Sequence, residues 1–409
     1  MSIITTATRM FLTRSFKPFT FTSDDGNRKL DLAAVEKPGL YIHIPFCKSR
    51  CRYCDFFSTT HLEKQSQYIE ALLIEMQDRL QLHNNGQLST DNRQLISTIY
   101  IGGGTPSTLQ IEHLRAIFDC LATNIPHPII GTDIEITLEA NPGDITPEKA
   151  HAWRALGINR LSIGIQSFDD ELLQLIGRRH TAAQARQAVA IAQAAGFDNI
   201  SIDLMYALPS QTMEMWQNDV AEALRLGVQH ISTYGLIYEE GTVLMTLLDH
   251  GVVEAVDEDT EIQMYDYLAE TLVANGFLHY EVSNFARPGR ESKHNSSYWN
   301  DTPYIGLGAG AHSYNGLQRQ WNISDLDSYI AQAMARHWQP EIETLTQDQR
   351  HTEHIMLGLR TNRGVEISAV NRQRAEAYIA QGLLVKQDDR VVATQQGWHI
   401  LNRIIEDLL

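Results

Sequence analysis

The chain has 409 residues, of which 43% are hydrophobic, and this length and composition are typical of one large globular domain with a smaller one. Its formal net charge of −17 disfavours binding to nucleic acid or to anionic membranes, so we expect no nucleic-acid partner. No apolar run reaches the roughly 18 residues of a transmembrane helix, so no stable membrane insertion is expected.

The N-terminal 38 residues differ from the rest of the chain, and we expect a separate extension there. Residues 1–23 are rich in Ser and Thr, contain Arg9, Arg14 and Lys17, and have no acidic residue. This composition resembles a mitochondrial transit peptide. A disordered bacterial leader or an upstream start in the gene model is the alternative. We expect a cytoplasmic protein, because three clustered cysteines out of four do not form a disulfide framework, with a mitochondrial location as the alternative.

From residue 38 onward, short apolar segments rich in β-branched residues alternate with longer helical segments. Strands are predicted at 40–46, 95–103, 134–140, 159–167, 199–208 and 230–238, and helices at 64–82, 108–122, 146–157, 181–196 and 211–227. Thr146 and Thr181 are candidate N-caps, and Gly157, Gly196 and Gly227 stand where helix C-caps belong. The alternation predicts a parallel sheet, either doubly wound or a (β/α) barrel. The polar strand ends described below favour a partial barrel.

The last third of the chain is less regular. A helix is predicted at 257–275 and a strand at 277–286, followed by a Gly-rich piece at 304–316. Helices and a hairpin at 383–394 follow, and their order from about residue 341 to 409 is similar to a winged-helix domain. We therefore expect an α/β fold with a partial barrel at 39–290 and a C-terminal α+β domain at 291–409.

Three of the four cysteines, Cys47, Cys51 and Cys54, lie within eight residues at the spacing C-x3-C-x2-C. A closed zinc site needs four ligands, and His43 or His61 would then supply the fourth. Three thiolates would instead hold three irons of a [4Fe–4S] cluster and leave the fourth iron open to a small molecule. Core thiols without a ligand are the remaining alternative.

Polar or glycine-rich residues stand at the ends of the next four predicted strands. Strand two ends in GGGTP at 102–106, strand three at Glu139, strand four at Gln166, and strand five carries Asp203. Glycines let a ligand approach the backbone, and the three polar side chains can bond its amino and hydroxyl groups. Since barrel sites lie at the carboxyl ends of strands, these residues predict a pocket beside the cysteine loop.

Seven motifs in order resemble one family: YIHIPFC, CRYCDFF, GGGTPS, LEANP, SIGIQSF, GRRH and IDLMYALP. They are similar to the radical S-adenosylmethionine (SAM) subgroup that contains oxygen-independent coproporphyrinogen oxidase and the HemW-type haem chaperones. The resemblance extends from residue 39 to about residue 400. It implies a [4Fe–4S] cluster on Cys47, Cys51 and Cys54, with SAM at the open iron.

The resemblance also implies which residues line the SAM site. They are Tyr41, Tyr53, Gly104, Thr105, Glu139, Gln166, Arg178 and Asp203. For Arg178, a solvated charge at a helix end is the alternative interpretation.

Two features separate the chaperone branch from the oxidase branch. The oxidase pattern has a fourth cysteine where this chain has Phe56, and it has a longer N-terminal portion. The sequence HNSSYW at 294–299 instead matches the HNxxYW motif of the chaperones, which is tied to haem binding. Histidine is a common haem ligand, so His294 is the predicted haem contact, and Tyr298 and Trp299 can pack on a porphyrin. His312 is a weaker candidate.

The predicted function is therefore a haem chaperone that uses a [4Fe–4S] cluster and SAM and passes haem to an acceptor protein such as a respiratory enzyme. A radical enzyme acting on a porphyrinogen is the alternative, so enzymatic activity stays open. Arg287, Arg290 and Lys293 are candidates to pair porphyrin propionates. A nucleic-acid reader built on the winged-helix-like end is disfavoured by the charge.

Overall fold

The computed structural model describes residues 37–84, 96–125 and 133–409. The N-terminal extension predicted for residues 1–38 lies outside these residues except for its last two. Within the described residues, no helix combines the length and the apolarity that crossing a membrane requires.

One large sheet dominates the described part of the chain. Its strands are β1 (Gly39–Ile44), β2 (Thr98–Gly103), β3 (Glu135–Ala140), β4 (Arg160–Gln166), β5 (Ile200–Tyr206), β6 (His230–Gly235), β7 (Leu278–Glu281), β8 (Asn284–Ala286), β9 (Tyr304–Leu307), β10 (His312–Tyr314), β11 (Gln318–Trp321) and β12 (Glu341–Thr344). Their spatial order is β12-β11-β10-β9-β1-β2-β3-β4-β5-β6-β8-β7. Strands β1 to β6 are parallel neighbours in sequence order, which confirms the six-stranded partial barrel.

Helices alternate with the strands of this sheet and continue into the C-terminal region. They are α1 (Gln65–Asn84), α2 (Ile111–Asn124), α3 (Pro147–Ala155), α4 (Asp170–Leu175), α5 (Ala182–Ala194), α6 (Met213–Arg225), α7 (Val243–Asp249), α8 (Glu258–Ala274), α9 (Lys293–Trp299), α10 (Leu326–Met334), α11 (Gln347–Gly358), α12 (Arg372–Ala380), α13 (Gln395–His399) and α14 (Leu401–Leu408). The predicted caps are confirmed: the side chains of Thr146 and Thr181 accept the N-cap bonds, and Gly157, Gly196 and Gly227 have positive φ.

Alternate residues of the barrel strands face two different environments. Leu40, Ile42 and Ile44 of β1 are fully buried in the main hydrophobic core. The intervening Tyr41 pairs in register with Tyr100 of β2, and both lie on the other face. Because side chains alternate across a strand, most polar residues of the six strands share this inner face of the barrel.

The strand predicted at 277–286 is wrong in one respect, because this segment is a hairpin of β7 and β8. The buried carboxylate of Glu281 accepts hydrogen bonds from the Ser283 amide, at 3.0 Å, and from the Asn284 side chain. These bonds turn the chain back at Val282 and Ser283. The apolar periodicity of the segment contains no signal for this carboxylate-centred turn.

The C-terminal α+β region is confirmed. It has a small antiparallel sheet, in the order β13-β15-β14, made of β13 (Val365–Glu366), β14 (Leu384–Gln387) and β15 (Arg390–Ala393). This sheet and the last helices enclose their own hydrophobic cluster.

His354 of α11 bridges Asp301, at 3.3 Å, and Glu366, at 3.0 Å. The carboxylates of Asp301 and Glu366 raise the pKa of His354 to about 8, and Asp301 has the larger effect.

We expected a domain boundary at residue 290. The large sheet continues past this residue, and the boundary stays a prediction. Glu75 of α1 is fully buried and ties the helix to this later part of the sheet. Its carboxylate accepts hydrogen bonds from the Gly308 amide at 2.7 Å, the Asn322 side chain at 2.7 Å and the Tyr329 hydroxyl at 2.6 Å. Arg79 of the same helix supplies the positive charge at 3.1 Å.

Candidate functional site

The cysteine loop spans 45–59 and follows β1 directly. Two backbone hydrogen bonds close its base: the Cys47 amide donates to the Thr59 carbonyl at 2.8 Å, and the Thr59 amide donates to the Pro45 carbonyl at 2.7 Å. At the tip, the Arg52 amide donates to the Ile176 carbonyl at 3.0 Å. The loop therefore has a defined shape that is set by its backbone.

The three thiols lie at the open end of the barrel. Cys47 is 7% exposed and shares a 3.4 Å hydrogen bond with the Thr105 hydroxyl. Cys51 and Cys54 are half-buried, and Arg178 donates to the Cys51 sulfur at 3.4 Å. Burial raises the pKa of the Cys47 thiol and raises that of Cys54 to about 11. A positive metal centre would offset this burial cost, because it favours thiolates.

The histidines considered for a zinc site lie in other environments. The ring nitrogens of His43 bond the Tyr41 hydroxyl at 3.0 Å and the Phe57 carbonyl at 3.2 Å. His61 is exposed and pairs with Glu63 at 2.9 Å. Within the ranges that the structure describes, no three His, Cys, Asp or Glu side chains form a group for one metal ion. In an iron–sulfur cluster each thiolate binds a different iron, so its cysteines need not meet at one point.

The glycine turn after β2 approaches the cysteine loop closely. The Gly104 amide donates to the Ile44 carbonyl at 2.9 Å. A Cβ atom on Gly104 would lie 2.8 Å from the Pro45 carbonyl carbon and 3.0 Å from the Cys47 sulfur. Only glycine fits at this distance, so the turn and the loop form one continuous surface.

Glu139 is held in the barrel mouth by two donors. Its carboxylate accepts from the Tyr100 hydroxyl at 2.8 Å and from the Gly103 amide at 3.0 Å. Burial nevertheless raises the pKa of Glu139. The Tyr41 ring stacks on Tyr100 with centroids 6.1 Å apart, so the predicted Tyr41 and Glu139 share one wall.

Gln166, Arg178 and Asp203 converge on Gly164. A Cβ on this glycine would lie 3.1 Å from the Gln166 amide nitrogen, 3.3 Å from an Arg178 nitrogen and 3.9 Å from an Asp203 oxygen. Gln166 has a positive φ of 76°, an uncommon conformation that occurs often at ligand sites. Gln166 Oε1 and Arg178 Nε are buried without a hydrogen-bond partner. These two atoms fit a polar ligand that completes their bonding.

Tyr53 has an apolar environment at the same end of the barrel. It packs against the cluster that contains Leu172, Leu208 and Leu244. Burial raises the pKa of Tyr53. Its ring therefore forms part of the apolar support beneath the tip of the cysteine loop.

Two neighbours of the predicted carboxylates were missed at the sequence level. Tyr100 donates to Glu139, and the Ser162 hydroxyl donates to Asp203 at 3.2 Å. Burial raises the pKa of Asp203. Both neighbours stand on the polar, inward face of their strands, so the alternation of side chains was the available signal.

His294 lies at the opposite end of the barrel from the cysteine loop. It is 1% exposed, and its ring nitrogens bond the Thr98 hydroxyl at 2.8 Å and the Tyr298 hydroxyl at 2.9 Å. Its amide donates to Glu135 at 3.0 Å. Thr98 and Glu135 begin β2 and β3, so this is the amino-terminal end of the strands. Burial lowers the pKa of His294 to about 3.

The other residues considered for haem are also outside the cysteine rim. Arg290 pairs with Asp198 at 3.2 Å, and Lys293 reaches the Asp133 carbonyl at 3.4 Å. Arg287 covers the Phe277 ring at 4.1 Å, His312 stacks on Trp321 with centroids 5.6 Å apart, and Trp299 is 7% exposed. The structure thus brings the predicted cluster and SAM residues together. His294 lies at the other end of the strands from the cysteines, but its ring stacks on Tyr41 of the predicted SAM wall, with centroids 6.4 Å apart.

Cys120 and Phe56 differ in their relation to the loop. Cys120 is buried on α2, where Asn124 of the same helix donates to its sulfur at 3.5 Å. Phe56 is 37% exposed on the cysteine loop itself. Cys120 is therefore not one of the three clustered cysteines.

Comparison with protein families identifies two matching models. The Radical SAM superfamily model matches residues 41–223, and the HemN C-terminal domain model matches residues 345–400. The first contains all three clustered cysteines and every predicted SAM residue.

Several curated relatives are similar over most of the chain. The heme chaperone HemW of Lactococcus lactis is 36% identical over 92% of this chain and 98% of the relative. HemW of Mycobacterium tuberculosis is 35% identical, also over 92% and 98%. The mitochondrial radical S-adenosyl methionine domain-containing protein 1 of Bos taurus is 34% identical over 92% of this chain and 78% of the relative.

Among solved structures, coproporphyrinogen III oxidase (HemN) from Escherichia coli has the same fold. The superposition has a TM-score of 0.76 with 22% identity and covers 92% of this chain and 91% of the other. The likeness extends to the C-terminal region as well as the barrel.

Proposed function

Because the chain belongs to the HemW-type family of radical SAM proteins, we propose that it is a haem chaperone. It binds a [4Fe–4S] cluster, SAM and haem, and it passes haem to an acceptor protein. The observation that carries this proposal is the similarity to chaperones along 92% of the chain. The acceptor is a haem protein, for which a respiratory enzyme is our candidate.

Cys47, Cys51 and Cys54 are the proposed cluster ligands. When bound, the cluster supplies one-electron chemistry and an iron position for SAM. Arg178 donates to Cys51 and stabilises negative charge on that sulfur. Gly104 leaves the space beside Cys47 that a side chain would fill.

The proposed SAM site is the wall formed by Tyr41, Glu139, Gln166 and Asp203. Burial disfavours the ionised forms of Glu139 and Asp203 and therefore raises the pKa of each carboxyl group. SAM carries an ammonium and a sulfonium, and a nearby cation favours carboxylates. The unpartnered Gln166 oxygen supplies a further acceptor for a ligand N–H or O–H group.

We propose His294 as the haem contact, and haem binding there requires a change in the hydrogen bonds of its ring. Both ring nitrogens already bond hydroxyl groups inside the barrel, so ligation of haem iron requires one of these bonds to open and the ring to become accessible. His294 also stacks on Tyr41 of the proposed SAM wall, with ring centroids 6.4 Å apart, so the two proposed sites adjoin.

The alternative function is a radical enzyme that decarboxylates a porphyrinogen, favoured by the likeness in fold to the oxidase. One experiment separates the two. Protein reconstituted anaerobically with iron and sulfide is incubated with haem in one sample and with coproporphyrinogen III, SAM and a reductant in another. We expect a shifted Soret band and no decarboxylation. Protoporphyrinogen formed over many turnovers would contradict the chaperone proposal.

A further inference from the structure

Asp144 is a buried carboxylate next to the cysteine loop, just after β3. Its side chain is 0% exposed, yet two cations reach it: Lys48 at 2.7 Å and Arg179 at 3.2 Å. The Ser107 hydroxyl donates to the same carboxylate at 3.1 Å. Removing a carboxylate from water is costly, and these donors must all be in place to compensate for that cost.

Two of these partners belong to separate segments of the rim. Lys48 follows Cys47 in the cysteine loop, and Ser107 follows the glycine turn that includes Gly104. Ser107 is fully buried, and its hydroxyl also accepts a hydrogen bond from the Asn141 amide at 3.0 Å. The carboxylate therefore connects the cysteine loop to the glycine turn.

The third partner belongs to another segment. Arg179 follows Arg178, which donates to Cys51 and to the Gly164 carbonyl. Asp144 thereby fixes the backbone from which the Arg178 side chain extends. Three rim segments, each carrying a predicted cluster or SAM contact, meet at one carboxylate that contacts no thiol itself.

When Asp144 is ionised, its charge offsets one of the two positive charges at this junction. Burial opposes ionisation, but the Lys48 hydrogen bond, Arg179 and Ser107 outweigh it and lower the pKa of Asp144. Without the carboxylate, Lys48 and Arg179 would face each other as like charges, and Ser107 would lose an acceptor. The three segments would then have no common contact at this point.

We propose that Asp144 is a positioning residue that holds the cysteine loop, the glycine turn and the Arg178 segment in the arrangement that binds the cluster and SAM. The identity of the bound groups rests on the proposed function, whereas the positioning is a property of the full-length chain without cofactors. The two can therefore be tested separately.

The direct test is amide hydrogen exchange of the cofactor-free, full-length protein. Each segment has a bonded reporter amide: Cys47, Gly104 and Arg178. In Asp144→Asn we expect all three amides to exchange about tenfold faster. This factor is near the lower end of the range expected for the loss of charge-assisted hydrogen bonds, because Lys48 and Arg179 are partly exposed.

Glu75→Gln is the matched control, because Glu75 is equally buried but bonds elements away from these segments. It should leave the Cys47 and Arg178 amides within about twofold of wild type. Equal acceleration in both variants would reduce Asp144 to a general stability residue and overturn the proposal. Unchanged exchange in Asp144→Asn would do the same.

Two further variants keep the test decisive if Asp144→Asn does not fold. Lys48→Met removes one partner, and we expect faster exchange at Cys47 but not at Arg178; acceleration at both or at neither contradicts the proposal. Asp144→Glu retains the charge and should retain an iron content near that of wild type after anaerobic reconstitution. If wild type itself binds no iron and sulfide, the proposed function fails while the exchange result still stands.

Discussion

A single methyl group at Gly104 tests whether the glycine turn and the cysteine loop form one surface. In Gly104→Ala the new Cβ would lie 2.8 Å and 2.9 Å from the Pro45 carbonyl carbon and oxygen and 3.0 Å from the Cys47 sulfur. The first two atoms are backbone, so the clash cannot be relieved by a rotamer change. Overpacking of this kind costs about 1–3 kcal/mol.

The displaced group has a second role, which adds to the cost. The Pro45 carbonyl accepts the Thr59 amide at 2.7 Å and closes the base of the loop. Losing that bond costs about 1 kcal/mol more, so we expect Gly104→Ala to lower the free energy of unfolding by about 2–4 kcal/mol. It should also displace the Cys47 sulfur and reduce the iron retained after reconstitution.

The assay compares iron and sulfide content after gel filtration with the urea midpoint of the cofactor-free protein. Gly143→Ala is the control, because its Cβ would lie at an ordinary 3.5 Å from the nearest atom, the Asn141 oxygen. It should change stability by less than about 0.5 kcal/mol. Wild-type stability and iron content in Gly104→Ala would refute the argument from close approach.

Other predictions concern the thiols, the buried histidine and the bridge to the C-terminal region. Reconstituted wild type should hold about four irons and four sulfides, Cys47→Ala should lose the brown chromophore and Cys120→Ala should keep it; stoichiometric zinc without sulfide would contradict this. His294→Ala should weaken or shift the haem Soret band and retain the cluster, because the two lie at opposite ends of the barrel; an unchanged haem spectrum and affinity would exclude His294 as the ligand. With its folded-state pKa raised to about 8, His354 should stabilise the fold fully below about pH 6.5 and lose this contribution as the pH rises through 8. Because the ring is 39% exposed, the change should be below about 1 kcal/mol, and His354→Gln should abolish it in urea titrations at pH 6 and 9. An equal pH dependence in wild type and variant would assign it to other groups.

The barrel could be predicted from the sequence because its strands are buried on both faces. Such strands are short segments rich in β-branched residues that end at turn residues, and all six were located within a few positions. Gln166 and Asp203 could be placed on one rim because parallel strands end at one edge of the sheet. Their convergence on Gly164 was not predictable, since it depends on the positive φ of Gln166 and on a register shift in β4.

Side-chain direction and long-range charge pairing account for what the sequence did not reveal. The HNSSYW motif indicates a chemically capable histidine, but not that the His294 ring points into the barrel and bonds Thr98. Asp144 resembled an ordinary residue after a strand. Its role depends on Lys48 and Arg179, which are distant in sequence and meet only when the strands are assembled.

The strand that carries the cysteine loop is flanked by partners from distant parts of the chain. β1 pairs with β2 on one side and with β9, residues 304–307, on the other, both in parallel. During synthesis β1 therefore remains an edge strand until about three quarters of the chain has emerged, and non-local parallel pairing of this kind is slow. An edge strand with unpaired backbone groups also invites aggregation. Metal delivery to the loop should consequently be a late event, after β9 has docked, and truncation before residue 304 should leave β1 as an edge strand and lower the iron content of the chain.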